Sequence, residues 1–235
     1  MRVISVKEIT GALSHLFYPV LCEGCQKPLI GDEYVLCMGC EAQLPETGFQ
    51  YVKDNEAEQR FAGRINFVHA TSFAYFIEDG IIQHLVHGLK YKGRQDTGRY
   101  LGYLLGKRLL ETEWIDDINI IIPVPLHPAK EAARGYNQSL LIAEGISRAV
   151  NRPTSSGLLL RIKKTESQTN KTRTERVNNM EGAFWLAQKE AVKRMHILLI
   201  DDVLTTGATL EACALALLGE ESVKISIATI GIAVS

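Results

Sequence analysis

At 235 residues the chain is long enough for one domain with a substantial core plus a small appendage. Its 46% hydrophobic and 23% charged residues are ordinary for a soluble globular protein, and a net charge of −1 gives no global electrostatic reason to bind nucleic acid. No apolar run approaches bilayer length, and the N-terminus, with Lys7, Glu8 and His15, lacks the apolar segment of a secretory signal; no membrane insertion and a cytoplasmic location are expected.

Residues 3–18 place Val6, Ile9, Leu13, Leu16 and Phe17 at near-helical spacing. The segment 21–45 follows, with Cys22, Cys25, Cys37 and Cys40 in a C-x2-C-x11-C-x2-C pattern. Each pair sets two thiolates on one tight turn, eased by Gly24 or Gly39, and two facing turns form a tetrahedral sulfur cage that favours zinc. In a reducing cytosol this spacing points to metal and not to disulfides. With four thiolates there is no open position for water, so the metal is expected to be structural; a redox dithiol and an iron centre of rubredoxin type are the weaker alternatives. The expected organisation is a four-cysteine zinc-binding module over 1–50, a polar linker over 51–66 and an α/β domain over 67–235, with Phe49, Tyr51 and Phe61 able to dock on a neighbour.

From Phe67 the pattern is repetitive α/β. Thr71–Ile77 reads as a strand, and Ile81, Ile82, Leu85, Val86 and Leu89 share one helical face. The basic cluster Lys90-Tyr91-Lys92-Gly93-Arg94 then fits either dipole complementation at the helix end or an anion contact. A second helix spans 98–110. Asn119–Ile122 is a buried strand ending in Pro123-Val124-Pro125-Leu126, a stiff loop at the edge where open α/β sheets bind ligands. Arg134-Gly135-Tyr136-Asn137-Gln138-Ser139 leads into a helix reaching Val150. Leu158–Arg161 could be a strand. The polar stretch after it, with Lys163, Lys164, Lys171, Arg173 and Arg176, is a solvated surface, a flap closing over pyrophosphate, or a nucleic-acid patch. Order resumes at Gly182–Leu186, and Val223–Val234 is a buried strand.

The most informative stretch is Ile197–Thr209, ILLIDDVLTTGAT. Its apolar run is typical of a buried parallel strand and ends on Asp201 and Asp202. The turn Thr205-Thr206-Gly207-Ala208-Thr209 opens into an apolar helix, and unpaired N–H groups at such a helix start suit phosphate. Adjacent carboxylates suit a vicinal diol, so the two together describe a ribose 5-phosphate. An ordinary strand-to-helix turn capped by Asp and Thr is the bland alternative, and no Walker A loop occurs. The stretch resembles the phosphoribosyl-pyrophosphate (PRPP) signature of type I phosphoribosyltransferases.

Across essentially the whole chain, in order, Cys22, Cys25, Cys37 and Cys40, Lys90-Tyr91-x-Gly93, Pro123-Val124-Pro125-Leu126, Arg134-Gly135-Tyr136-Asn137-Gln138, Arg161, Ser167-Gln168-Thr169, Arg176-x-x-Asn179, Gly182-Ala183-Phe184 and the Asp201–Thr209 signature resemble the ComF family, which includes competence protein ComFC and GntX-like proteins. Lys193-Arg194-Met195-His196 stands where the family commonly has a Gly-Lys pair. The resemblance implies a type I phosphoribosyltransferase-like parallel sheet flanked by helices, with a small N-terminal zinc finger. It also implies a cytoplasmic bacterial protein linked to DNA uptake in natural transformation, partnered with a DNA translocase or helicase. On this reading Thr205, Thr206, Gly207, Ala208 and Thr209 hold the 5-phosphate, and Asp201 and Asp202 are the catalytic acids at the ribose. Pro123, Val124, Arg134, Arg173 and Arg176 face the pyrophosphate, with Mg²⁺ accompanying PRPP. No general base and no nucleobase-binding hood are readable. The expectation is therefore a PRPP-binding adaptor; the alternatives are an active transferase on an unidentified acceptor and a single-stranded DNA binder.

Overall fold

The computed structural model describes residues 19–162 and 183–234, so the amphipathic segment 3–18 and most of the cationic stretch, with Arg173 and Arg176, lie outside the described residues. The chain divides after Leu44 into two units. The first is held by short backbone bonds, Cys22 N–H to the Lys27 carbonyl and Glu23 N–H to the Val35 carbonyl, both 2.8 Å, and by a single helical turn, α1 (Met38–Glu41). Glu33 ties its loop together by accepting the N–H groups of Ile30 and Met38, each at 2.9 Å, which lowers its carboxyl below the usual range. Among the described residues of this unit, 19–44, Cys22, Val35, Leu36 and Leu44 are the buried apolar ones, too few for a core of ordinary size.

The second unit begins at Pro45, earlier than the expected boundary, because 45–47 pair with the edge of a strand: Thr47 N–H donates to the Phe73 carbonyl at 3.0 Å and Tyr75 N–H to the Pro45 carbonyl at 2.9 Å. The stretch 51–66, expected as a linker, is folded structure. Asn55 caps the short helix α2 (Glu56–Gln59) through Oδ1, while its Nδ2 donates to the carbonyls of Phe49, Val52 and Ala70. Ala57, Phe61 and Ile65 are buried in the main core. Elements of four residues carry no periodicity, which is why the sequence looks structureless there.

Four strands form an all-parallel sheet: β1 (Ala70–Phe76), β2 (Ile120–Pro123), β5 (His196–Leu204) and β6 (Lys224–Ala233), in the order β1-β6-β5-β2. The two central strands are buried over long runs, His196–Ile200 on β5 and Ile225–Ile232 on β6, because both faces are covered. One face packs against α7 (Ala208–Leu218), where Leu210, Cys213, Ala214 and Leu217 meet Ile197, Leu199, Ile225 and Ile227. A small antiparallel pair, β3 (Leu159–Arg161) with β4 (Phe184–Leu186), joins this layer. The helices α3 (Ile81–Tyr91), α4 (Gln95–Leu109) and α6 (Gln138–Val150) connect β1, β2 and β5, and α5 (Pro128–Arg134) precedes α6. The helix after β2 and the helix after β5 lie on different faces, which makes the carboxyl end of β5 a topological switch point.

α4 and α6 approach through glycines. A methyl group on Gly145 would stand 2.1 Å from the Arg99 carbonyl oxygen and 2.7 Å from the Tyr103 nitrogen, and one on Gly102 would stand 2.1 Å from the Ile142 carbonyl oxygen. Backbone cannot yield as a side-chain tip can, so Gly145→Ala is expected to lower stability by about 3 kcal/mol, read as a shift in the urea midpoint. An unchanged midpoint would mean that the helices separate at no cost.

Candidate functional site: a carboxylate pair, a hydroxyl-rich turn and a four-cysteine cluster

The strand carrying the acids does not stop at them. β5 continues to Leu204, with Asp201 opposite Thr229 and Val203 opposite Gly231 on β6. Strand alternation therefore sends the two carboxylates to opposite sides. Asp201, in phase with Ile197 and Leu199, takes the α7 side, within electrostatic reach of Cys213 and Arg161. Its Oδ1 accepts from Ser139 Oγ and from the Asp202 N–H, each at 2.9 Å. Asp202, 5% exposed, points the other way and accepts from Lys90 Nζ at 2.8 Å through its own Oδ1. Among the described residues every hydrogen bond to the two carboxylates falls on Oδ1.

These neighbours set the charge. Burial, and then the Asp202 charge, push the Asp201 carboxyl up to about 7 against the Asp202 N–H, Ser139 and Lys90, which favour its ionised form. Burial alone would lower the Lys90 ammonium, but Asp202 and, more weakly, Asp201 outweigh it and raise it.

The turn beyond β5 is built for close backbone approach. Gly207 has φ +78°, and a Cβ there would stand 2.8 Å from Phe61 Cε1, so both the backbone angle and the covering ring require glycine. Gly207 starts α7 with no side-chain cap, although Thr206 Oγ1 lies 3.5 Å from the Ala208 nitrogen. Arg64 braces the turn by donating to the Thr206 carbonyl at 2.9 Å and pairing with Glu211 of the first helical turn. Thr205 is exposed, and Thr206 and Thr209 are half-buried.

The proline loop is equally fixed. Pro123 ends β2 beside Ile200, Val124 N–H donates to the Ile200 carbonyl at 2.8 Å, and Asn137 Nδ2 donates to the Val124 carbonyl at 3.0 Å. Asn137 also caps α6, accepting the Ser139 N–H at 3.0 Å, and so delivers Ser139 to Asp201. Arg134 ends α5, which stops at Gly135 with φ +87°; it donates to Gln138, and its guanidinium carbon lies 5.7 Å from the Tyr91 ring centroid. Tyr136 donates to the Leu89 carbonyl, fastening this segment to α3. Asp201, Asp202 and the 205–209 turn thus follow one another along and beyond β5, with Pro123 and Val124 beside Ile200 at the end of β2, while Arg134 stands over Tyr91. Ser139 and Arg64 are partners that sequence reasoning missed, Phe61 docks against Gly207, and Lys90 resolves as a carboxylate partner. A lone hydroxyl at a helix start, or a charged residue in an aperiodic stretch, carries no distinguishing signal.

In the first unit the sulfurs of Cys22, Cys25, Cys37 and Cys40 all lie within 4.8 Å of one another. Cys22 Sγ accepts from Cys37 N–H at 3.2 Å and Gly24 N–H at 3.4 Å, and Cys25 Sγ lies 3.7 Å from Cys37 Sγ. Burial would raise the Cys22 thiol, but N–H donors from Cys25, Cys37 and Gly24 bring it down to about 6. Burial and the other three sulfurs push Cys40 up to about 12. Four sulfurs converging with N–H groups aimed at one of them fit a tetrahedral metal ion. Cys213 is buried on the sheet-facing side of α7, in the second unit.

Residues 137–235 match the family model described as phosphoribosyl transferase domain. Competence protein F of Haemophilus influenzae is 28% identical over 217 residues, covering 90% of each chain. Competence protein ComFC of Bacillus subtilis is 36% identical over 99 residues, 42% of this chain and 38% of that protein. The DNA utilization protein YhgH of Escherichia coli K12 is 31% identical over 137 residues, 57% of this chain and 60% of that protein. Among solved structures, adenine phosphoribosyltransferase from Leishmania tarentolae aligns with a TM-score of 0.38 at 13% identity, covering 81% of this chain and 94% of that one. No helix of the described residues is long and apolar enough to cross a membrane. With the parallel sheet, the carboxylate-and-turn signature and the four-cysteine cluster in place, the chain has a phosphoribosyltransferase-like fold and is similar, over most of its length, to a ComF-type competence protein.

Proposed function

We propose that the chain binds PRPP or a related ribose 5-phosphate at the carboxyl end of β5 and acts as an adaptor in DNA uptake, in the cytoplasm. The observation that carries the ligand is the sequence of groups along one segment: two carboxylates in the last half of a buried strand, then a backbone turn that favours glycine by both its angle and the ring over it, then the start of an eleven-residue helix. The 5-phosphate would lie on the N–H groups and hydroxyls of Thr205–Thr209, where an anion meets the positive end of the helix dipole. The Oδ2 atoms of Asp201 and Asp202, which accept no hydrogen bond within the described residues, would take the ribose hydroxyls. Pro123, Val124 and Arg134 would face the pyrophosphate, with Mg²⁺ carried in on its oxygens. The names of the relatives, competence proteins and a DNA utilization protein, support the place in DNA uptake; a DNA translocase is the partner that the sequence resemblance implies. Zinc in the four-cysteine cluster would make the first unit a docking module, since four thiolates leave a metal no open position.

Calorimetric titration tests the ligand. PRPP should bind more tightly with Mg²⁺ than without, and Gly207→Ala should weaken it about tenfold or more by pushing the turn off Phe61 and into a strained angle. Equal affinity in wild type and variant would remove the phosphate from this turn.

A further inference from the structure

A cavity of about 530 Å³ lies beside the carboxylate site and follows the outer face of α3 from the end of β1; Asp79, Gln83, His84, His87, Lys90 and Tyr91 are in its wall. The helical residues among them recur every three or four positions, so they form one continuous face. Gln83 Oε1 accepts the Asp79 N–H at 2.8 Å, and this fixes the amide so that Nε2, a donor, is the group left to the cavity. The Lys90 ammonium has three donors, of which Asp202 takes one, and its side chain is 24% exposed. The imidazoles of His84 and His87 and the phenol of Tyr91 stand exposed along the same wall, with the His87 and Tyr91 rings 4.8 Å apart. The charges facing this wall are Asp79 at the rim, Asp202 and Asp201 behind Lys90, and Arg134 over Tyr91.

A wall of donors centred on a partly buried cation recognises an oxyanion, and donors arriving from several positions on a helix suit the three oxygens of a phosphoryl group better than the two of a carboxylate. We propose that this cavity is a second phosphoryl-binding site, distinct from the Thr205–Thr209 turn, with Lys90 shared between its ligand and Asp202. The proposal goes beyond the ribose 5-phosphate reading and stands if that reading fails.

The experiment titrates inorganic phosphate into the full metal-loaded chain and follows the histidine ring signals by NMR. His84 and His87 should move saturably while His69 and His196 stay still, and acetate at the same concentrations should leave all four unmoved. Gln83→Glu keeps the acceptor for the Asp79 N–H and replaces only the donor, so it should fold as wild type and weaken the phosphate response about tenfold or more. It should leave the heat of ribose 5-phosphate binding unchanged. Gly207→Ala should do the reverse, sparing the response at His84 and His87. A response lost in Gly207→Ala would make the cavity an edge of the first site and overturn the proposal, as would an unaltered response in Gln83→Glu or equal binding of acetate.

Discussion

Stripping the metal from the four-cysteine cluster is expected to unfold the first unit while the parallel sheet stays intact. Four buried apolar residues and one helical turn give residues 19–44 little burial to set against chain entropy. Metal coordination in such small modules supplies about 10–16 kcal/mol, more than any other single interaction available to the unit. The thiols make the same point from electrostatics. With Cys22 brought down to about 6 and Cys40 pushed up to about 12, the cluster does not carry four thiolates at neutral pH without a cation among them. Chelation should release one zinc per chain, and hydrogen exchange should show loss of protection at Glu23, Gln26 and Cys37, whose N–H groups bond within the cluster or its loops. Protection at Ile197–Leu199 on β5 should persist. Cys37→Ser should reproduce the loss and Cys213→Ser should not. Retained protection at Cys37 in metal-free protein would show that the loops fold without the ion.

Much of this was legible because its signals are local. The cysteine spacing needs only two turns to become a cluster, and the aliphatic runs of β5 and β6 are long enough to mark a buried parallel sheet. The glycine and threonines after β5 announce the turn for the same reason. What stayed hidden depends on distant partners. Lys90 lies 112 residues before Asp202, and Ser139 lies 62 before Asp201; each became a site residue only when the fold closed. Phe61 looked like a loop aromatic, yet its ring covers Gly207. The acids themselves were read as a side-by-side pair at a strand end, whereas β5 runs on to Leu204 and pleating divides them between two faces. Sequence adjacency says which residues are near a ligand but not from which side they reach it.

That division gives the carboxylates separate roles and a pH signature. Affinity for ribose 5-phosphate should rise from pH 6 to pH 8, because a ribose hydroxyl donates to an ionised carboxylate and Asp201, held at about 7 by burial and by the Asp202 charge, is largely protonated at the lower end. The ligand's own second phosphate ionisation lies near pH 6, at about the bottom of this range, so the rise above pH 6.5 belongs to the protein. Stability moves the other way. A carboxyl raised above its unfolded value of about 3.9 makes the folded chain bind more protons than the unfolded one, so its stabilisation is complete below that pH and is lost as pH climbs through about 7. Asp201→Asn should flatten both slopes and weaken binding about tenfold or more, one charge-assisted hydrogen bond being lost. Asp202→Asn should weaken binding similarly but also destabilise the chain by about 2 kcal/mol, less than for a fully buried pair, because it leaves the Lys90 ammonium without its ionised partner and with only a quarter of its side chain in water. Urea midpoints and calorimetric affinities across pH 6–8 separate the two. If Asp201→Asn keeps the wild-type pH slope, the titrating group is elsewhere; if Asp202→Asn binds ribose 5-phosphate as the wild type does, the sugar does not lie on this strand.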